Sequence, residues 1–293
     1  MSLKRALALG ALVALASVGG CGGGDDAPAP PPLSCNGHEH LCDRRLDEVV
    51  FPATHNSMSN EDDGWIAPNQ THGLARQLDD GVRAFLIDTH TYEDAPQLCH
   101  AVCQFGAIKL SDALAIYRTF LDRHPSEVLA LLIEDDISSA NTERAFVDAG
   151  LVPYLIVHQP GEPWPTLREL ISRGTRLLVT AERGGPPPAW YHHLWDLAWD
   201  TPYTYDSLAK IEATGADPNR GSPSNQLFLI NHWIGDPLPS RANGALANTR
   251  EALTRHVEAC RARHGRLPTF LAVDFYDEGA LLQVVDELNA PTR

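Results

Sequence analysis

Two histidines sit in settings suited to proton transfer. Phe51-Pro52-Ala53-Thr54-His55-Asn56-Ser57 closes an apolar segment with an imidazole beside hydroxyls and an amide, and Leu98-Cys99-His100 supplies a second imidazole. Imidazoles titrate near neutral pH, so one of a pair can take a proton while the other gives one. Cleavage of a phosphodiester by an internal hydroxyl needs both, a base on the nucleophile and an acid on the leaving oxygen. The chain has 13 histidines, and an arbitrary one is a structural, hydrogen-bonded residue. The motif context sets His55 and His100 apart.

Other reactive side chains also follow short apolar runs. Phe85 to Ile87 leads into Asp88-Thr89-His90, and Leu129 to Ile133 into Glu134-Asp135-Asp136. Leu177 to Val179 leads into Thr180-Ala181-Glu182, Leu227 to Ile230 into Asn231-His232-Trp233, and Leu271 to Val273 into Asp274 with Tyr276 beyond it. Asn231, His232, Trp233, Asp274 and Tyr276 are expected to line a substrate pocket. Arg83 shares the two-residue period of Phe85 and Ile87, opposite in parity to Asp88, so it points away from such a pocket. Trp190, Trp195 and Trp199, with Tyr191, Tyr203 and Tyr205, serve either as core and rim packing or as a lipid-facing mouth.

The elements that must carry these residues are short buried strands: 49–51, 84–87, 128–133, 177–179, 227–230 and 270–273. Continuous apolar runs suit parallel strands covered on both faces. Helical periodicity lies between some of them, over 111–123 (with Ser111 as N-cap), 248–264 and 278–288. Strand–helix alternation implies a parallel α/β architecture. Chemistry at the ends of six strands implies a TIM-type (β/α)8 barrel, since a doubly wound sheet gathers it at one switch point.

The order Pro52-x-Thr54-His55-Asn56-Ser57, then Gly81-Val82-Arg83-Ala84-Phe85-Leu86-Ile87-Asp88, then His100, resembles the X-type catalytic region of phosphatidylinositol-specific phospholipases C. The resemblance implies a barrel in which an inositol hydroxyl attacks phosphorus, diacylglycerol leaves and a cyclic phosphate forms. His55 would be the base and His100 the acid. Asn56 and Asp88 match the calcium-dependent pattern of that family and Glu134 a further ligand, which implies Ca²⁺. The first Glu ligand of the pattern falls on Leu86. The same carboxylates can instead orient histidines or pair with arginine. A glycerophosphodiester phosphodiesterase normally opens with His-Arg-Gly, which Thr54-His55-Asn56 does not match. A non-catalytic binding barrel is the reading of a different class.

Charge and leader bound the partners. A formal net charge of −15 repels nucleic-acid phosphates and gives no pull toward anionic headgroups. The expected partner is a phospholipid or a soluble phosphodiester. Lys4-Arg5, an apolar run from Ala6 to Val18, and Val18-Gly19-Gly20-Cys21 read as a signal peptide over 1–21 ending at a lipidated cysteine, with Val18 where Leu is usual. Residues 22–33 form a Gly/Pro tether, and 34–293 the barrel. Export to the cell envelope or beyond implies disulfides. Cys35 with Cys42 and Cys99 with Cys103 are the favoured local pairs, leaving Cys260. A zinc site using His38, His40 or His100 with nearby cysteines is the alternative, at non-standard spacing.

Overall fold

The computed structural model describes residues 33–291. The leader, Cys21 and the tether up to Pro32 lie outside the described residues. The strands are β1 (Phe51–Thr54), β2 (Ala84–Tyr92), β3 (Ala95–Leu98), β4 (Ile108–Lys109), β5 (Leu129–Asp135), β6 (Leu177–Ala181), β7 (Tyr191–His193), β8 (Ala198–Asp200), β9 (Leu227–His232) and β10 (Phe270–Val273). Eight of them curl into one sheet in the order β7-β6-β5-β2-β1-β10-β9-β8. Every pairing along that path is parallel. No pairing joins β7 to β8 among the described residues, so the barrel is open there. β3 and β4 add an antiparallel flap to the long β2.

Alternation along the strands separates two apolar layers. Phe85, Ile87, Leu131, Ile133, Val179, Phe228, Ile230, Leu271 and Val273 face outward and meet the helices. Phe51, Ala53, Ala84, Ala130, Leu132, Leu178, Leu229, Phe270 and Ala272 face inward. The same parity carries the next inward positions, at the C-terminal strand ends, to His55, Asp88, Glu134, Glu182, Asp200, Asn231 and Asp274. The barrel expected from strand-end chemistry is therefore present in open form.

The opposite end is plugged. Leu41 and Leu46 lie among the inward residues with Trp164, Leu167 and Leu170, and Cys35–Cys42 staples the plug. The last helix, Leu281–Asn289, is clasped to the same end. Asn289 Nδ2 donates to Val50 O at 2.8 Å while its Oδ1 accepts from Val50 N at 2.9 Å. His40 Nε2 lies 3.0 Å from Asn289 O.

Element boundaries differ from the sequence expectations for local reasons. Val49 and Val50 precede β1, because a 3-10 turn over Leu46–Glu48 occupies the approach. The helix expected at 111–123 begins at Leu110 with Lys109 as N-cap, so Ser111 sits inside its first turn. The helix expected at 248–264 begins at Arg250, because Asn248 ends a separate helix, Arg241–Ala247, and Thr249 caps Arg250–His264 by accepting from Ala252 N. The final helix starts at Leu281, after the Gly279 turn.

Candidate active site

His55 follows β1, where its ring turns inward. Its Nδ1 lies 2.8 Å from Asp274 Oδ1, and its ring is stacked on Trp233 with centroids 3.8 Å apart and planes 3° from parallel. Asp274, only 3% exposed, also accepts from Asn69 Nδ2 at 3.1 Å, and Asn69 Oδ1 accepts from Asn56 at 3.2 Å. Its Oδ2 is buried without a partner. An N–H on Nδ1 toward this carboxylate leaves Nε2 as the free basic lone pair.

His100 is built differently. It stands just beyond β3, and its Nδ1 lies 2.8 Å from Asp88 Oδ2. That hydrogen bond, aided by the charges of Asp88, Glu134 and Asp274, raises the imidazole pKa above its ordinary value in spite of burial. His55 and His100 face one another with ring centroids 6.4 Å apart, across a cavity of about 380 Å³. The cavity wall includes Asn56, Leu86, Asp88, Glu134, Asn231 and Trp233.

Not every expected pocket residue reaches the cavity. Asn231 and Trp233 line it, and Asp274 stands behind His55. His232, between two inward residues of β9, necessarily faces outward. It is fully buried, with Nδ1 2.8 Å from His256 Nδ1 and Nε2 2.9 Å from Ala247 O. Burial first, and His256 second, push its pKa down to about 3. Tyr276 also lies outside: the chain turns at Phe275 (φ 48°), and the Tyr276 hydroxyl donates to Asp80 at 2.7 Å, within the outer core. Arg83 pairs with Glu127 at 2.6 Å on the outer side, as its parity implies.

The far wall adds Asp200 and Arg220 to the strand-end residues expected from the sequence. Arg220 donates to Asp200 Oδ2 at 2.6 Å and to Glu182 Oε2 at 2.8 Å. Its guanidinium lies 4.4 Å from the ring centroids of both Trp195 and Tyr203. Burial pushes the Glu182 carboxyl up to about 7, only partly offset by Arg220. Asn231 Nδ2 donates to Asp200 Oδ2 at 3.1 Å, tying this wall to β9. Arg183 donates to Glu134 at 2.8 Å and pairs with Asp136. Trp190, Trp199, Tyr191 and Tyr205 are buried packing.

Asn56, Asp88 and Glu134, as disposed, do not fit calcium. That ion takes six to eight oxygens. Here Asp88 is engaged by His100, Glu134 is neutralised by Arg183, and Leu86 supplies no donor. No group of three or more His, Cys, Asp or Glu among the described residues is arranged to hold a metal. Four cysteines form Cys35–Cys42 and Cys99–Cys103, which removes the thiolates a zinc site would need, and Cys260 is free and buried.

The fold resembles solved phosphatidylinositol-specific phospholipase C from Staphylococcus aureus, with a TM-score of 0.59 over 86% of this chain and 95% of that one, at 15% sequence identity. At that identity the likeness is one of fold. The chain is 30% identical over 285 residues to PI-PLC X domain-containing protein 1 of Arthroderma benhamiae, covering 89% of this chain and 91% of that protein. An uncharacterized secreted protein of the same organism is 26% identical over 287 residues; 88% of this chain matches 64% of that longer protein. The family described as PI-PLC X matches residues 41–289, almost the whole barrel, and with the 30% relative this establishes that the chain belongs to the PI-PLC X family.

Proposed function

We propose that this chain is an exported phosphodiesterase that cleaves a phosphoinositide or related diester by intramolecular attack, releasing a cyclic phosphate. One observation carries the reading: two imidazoles, each held at Nδ1 by its own carboxylate, converge on one cavity with their Nε2 atoms unbonded to the described residues. Neutral His55 takes the proton from the attacking hydroxyl at Nε2, and Asp274 steadies the imidazolium that forms. His100, kept protonated by Asp88, gives its Nε2 proton to the leaving oxygen. The O–H bond of the nucleophile and the P–O bond to the leaving group break as a new P–O bond closes the ring. Arg183 also lines the cavity, but its charge is shared by Glu134 and Asp136, so the protonated His100 is the cation that offsets the phosphate oxygens.

The polar far wall of Glu182, Arg220 and Asn231 suits a hydroxyl-rich headgroup. The two disulfides fit an oxidising compartment, and a relative described as secreted agrees with export. Within that reading, Cys21 is the lipid anchor, the membrane is reached through it, and nucleic acid is not a partner. No step is routed through a cation.

The test is turnover of phosphatidylinositol and of an aryl phosphodiester by the purified chain, with calcium and with chelator. A cyclic phosphate product, lost in both His55→Ala and His100→Ala by about 10²- to 10⁴-fold each, is expected. Unchanged turnover in either variant would overturn the assignment.

A further inference from the structure

We propose that the Cys99–Cys103 cystine is a positioning element for His100, so that the turnover proposed above, on which this rests, requires the oxidised form. Asp88 grips the start of the His100 loop twice. Its backbone oxygen accepts from Cys99 N at 3.2 Å, and its carboxylate holds the His100 ring at 2.8 Å. Beyond the buried Cys99 the chain leaves the sheet. Ala101 adopts φ 53°, and the next backbone hydrogen bonds close within the loop itself: Val102 N to His100 O, Phe105 N to Val102 O, Gly106 N to Cys103 O. Outside contacts of this turn include Ile66 N donating to Phe105 O at 2.8 Å and Trp65 lying against Gly106, both from another surface loop, and Cys103 resting on the outer core.

The disulfide ties the far end of this turn back to Cys99, with Cα atoms 5.0 Å apart and a sequence separation of 4. His100 therefore lies inside a small covalent ring rooted in the sheet. Its side chain is 48% exposed, so packing alone restrains it weakly. His55 has no such need: the stack on Trp233, the bond to Asp274, and Gln70 donating to its carbonyl at 2.7 Å all restrain it. The cystine thus acts on the acid and not on the base.

Reduction by a dithiol is balanced: the S–S bond breaks, each cysteine sulfur gains one hydrogen from the reductant, and the reductant closes into its own cyclic disulfide. The ring opens, and the His100–Asp88 geometry loosens. General-acid help matters most for a poor leaving group. Reduction should therefore lower kcat for an alkyl-leaving diester about 10- to 100-fold, the scale of a misplaced catalytic group, with KM little changed. An aryl diester, whose leaving oxygen needs little protonation, should lose only a few-fold.

The experiment compares the full chain oxidised, reduced with dithiothreitol and reoxidised, alongside Cys99→Ala/Cys103→Ala and, as control, Cys35→Ala/Cys42→Ala at the barrel's other end. Circular dichroism checks folding. A second readout is independent of turnover: the His100 imidazole titration followed by NMR. In the oxidised chain its pKa stands above the ordinary value, and opening the ring should bring it down. Equal alkyl and aryl losses, or a raised His100 pKa that survives reduction, overturn the proposal. An oxidised chain that turns over neither diester overturns the functional reading instead, while the NMR titration still decides the positioning role.

Discussion

Trp233 covers one whole face of the His55 imidazole, 3.8 Å from centroid to centroid and 3° from parallel. Because Asp274 holds Nδ1 in the ring plane, the two contacts together fix both the tilt and the rotation of the ring. Trp233→Phe keeps a stacking face and should retain most turnover. Trp233→Ala removes it and should lower kcat up to about 10²-fold. Steady-state kinetics on the two variants, with thermal melts as control, separates orientation from folding.

Asp88 holds the acid in its protonated form. His100 must carry a proton to act, so turnover falls as pH rises through its raised pKa. In Asp88→Asn the main cause of the elevation is gone, and the alkaline limb of the kcat profile should move to lower pH. A limb that stays in place would assign it to another group.

Stability should respond to acid through the buried pair on the outer face. His232 is held down to about 3 and His256 is also lowered, both chiefly by burial. These groups bind protons more tightly when unfolded, so their stabilisation is complete above the ordinary histidine value and is lost as pH falls from about 6.5 toward 3. Melting temperature measured from pH 7.5 to 4.5 should fall over that window. Replacing both by Gln should flatten the dependence.

Asp200 is fully buried and relies on Arg220 for its countercharge. Arg220→Met leaves that carboxylate unpaired and should cost about 3–5 kcal/mol. Adding Asp200→Asn removes the stranded charge and should recover part of the loss, as denaturant titration of the single and double variants can show.

Chelation probes the cation question directly. With Asp88 taken up by His100 and Glu134 by Arg183, EDTA should leave both turnover and melting temperature unchanged. A chelator-sensitive rate restored by calcium would mean that these pairs rearrange around an ion.

Strand periodicity made the barrel and most of the site legible, and it held the correction for His232 as well. The parity that sends Arg83 outward also sends His232 outward, since Asn231 and Trp233 alternate with it on the inner face. Tyr276 was beyond that argument, because a left-handed residue at Phe275 breaks the register. β7 and β8 escaped notice because each has only three residues, polar and aromatic rather than aliphatic. With β8 unseen, the inward Asp200 had no reason to stand out, and neither did its partner Arg220 in the loop that follows. Asn69 is similarly a loop residue whose role depends on a partner distant in sequence, Asp274. Glu182 was visible at its strand end; its raised pKa arises from burial, which only the closed wall supplies.

The Asn289–Val50 clasp has a practical corollary. Leu33, packed on the plug, and Asn289 both lie at the pole opposite the two imidazoles. An affinity handle or a surface linker grafted at either point therefore hangs from the back of the molecule, and a chain immobilised that way still presents its opening to a supported bilayer.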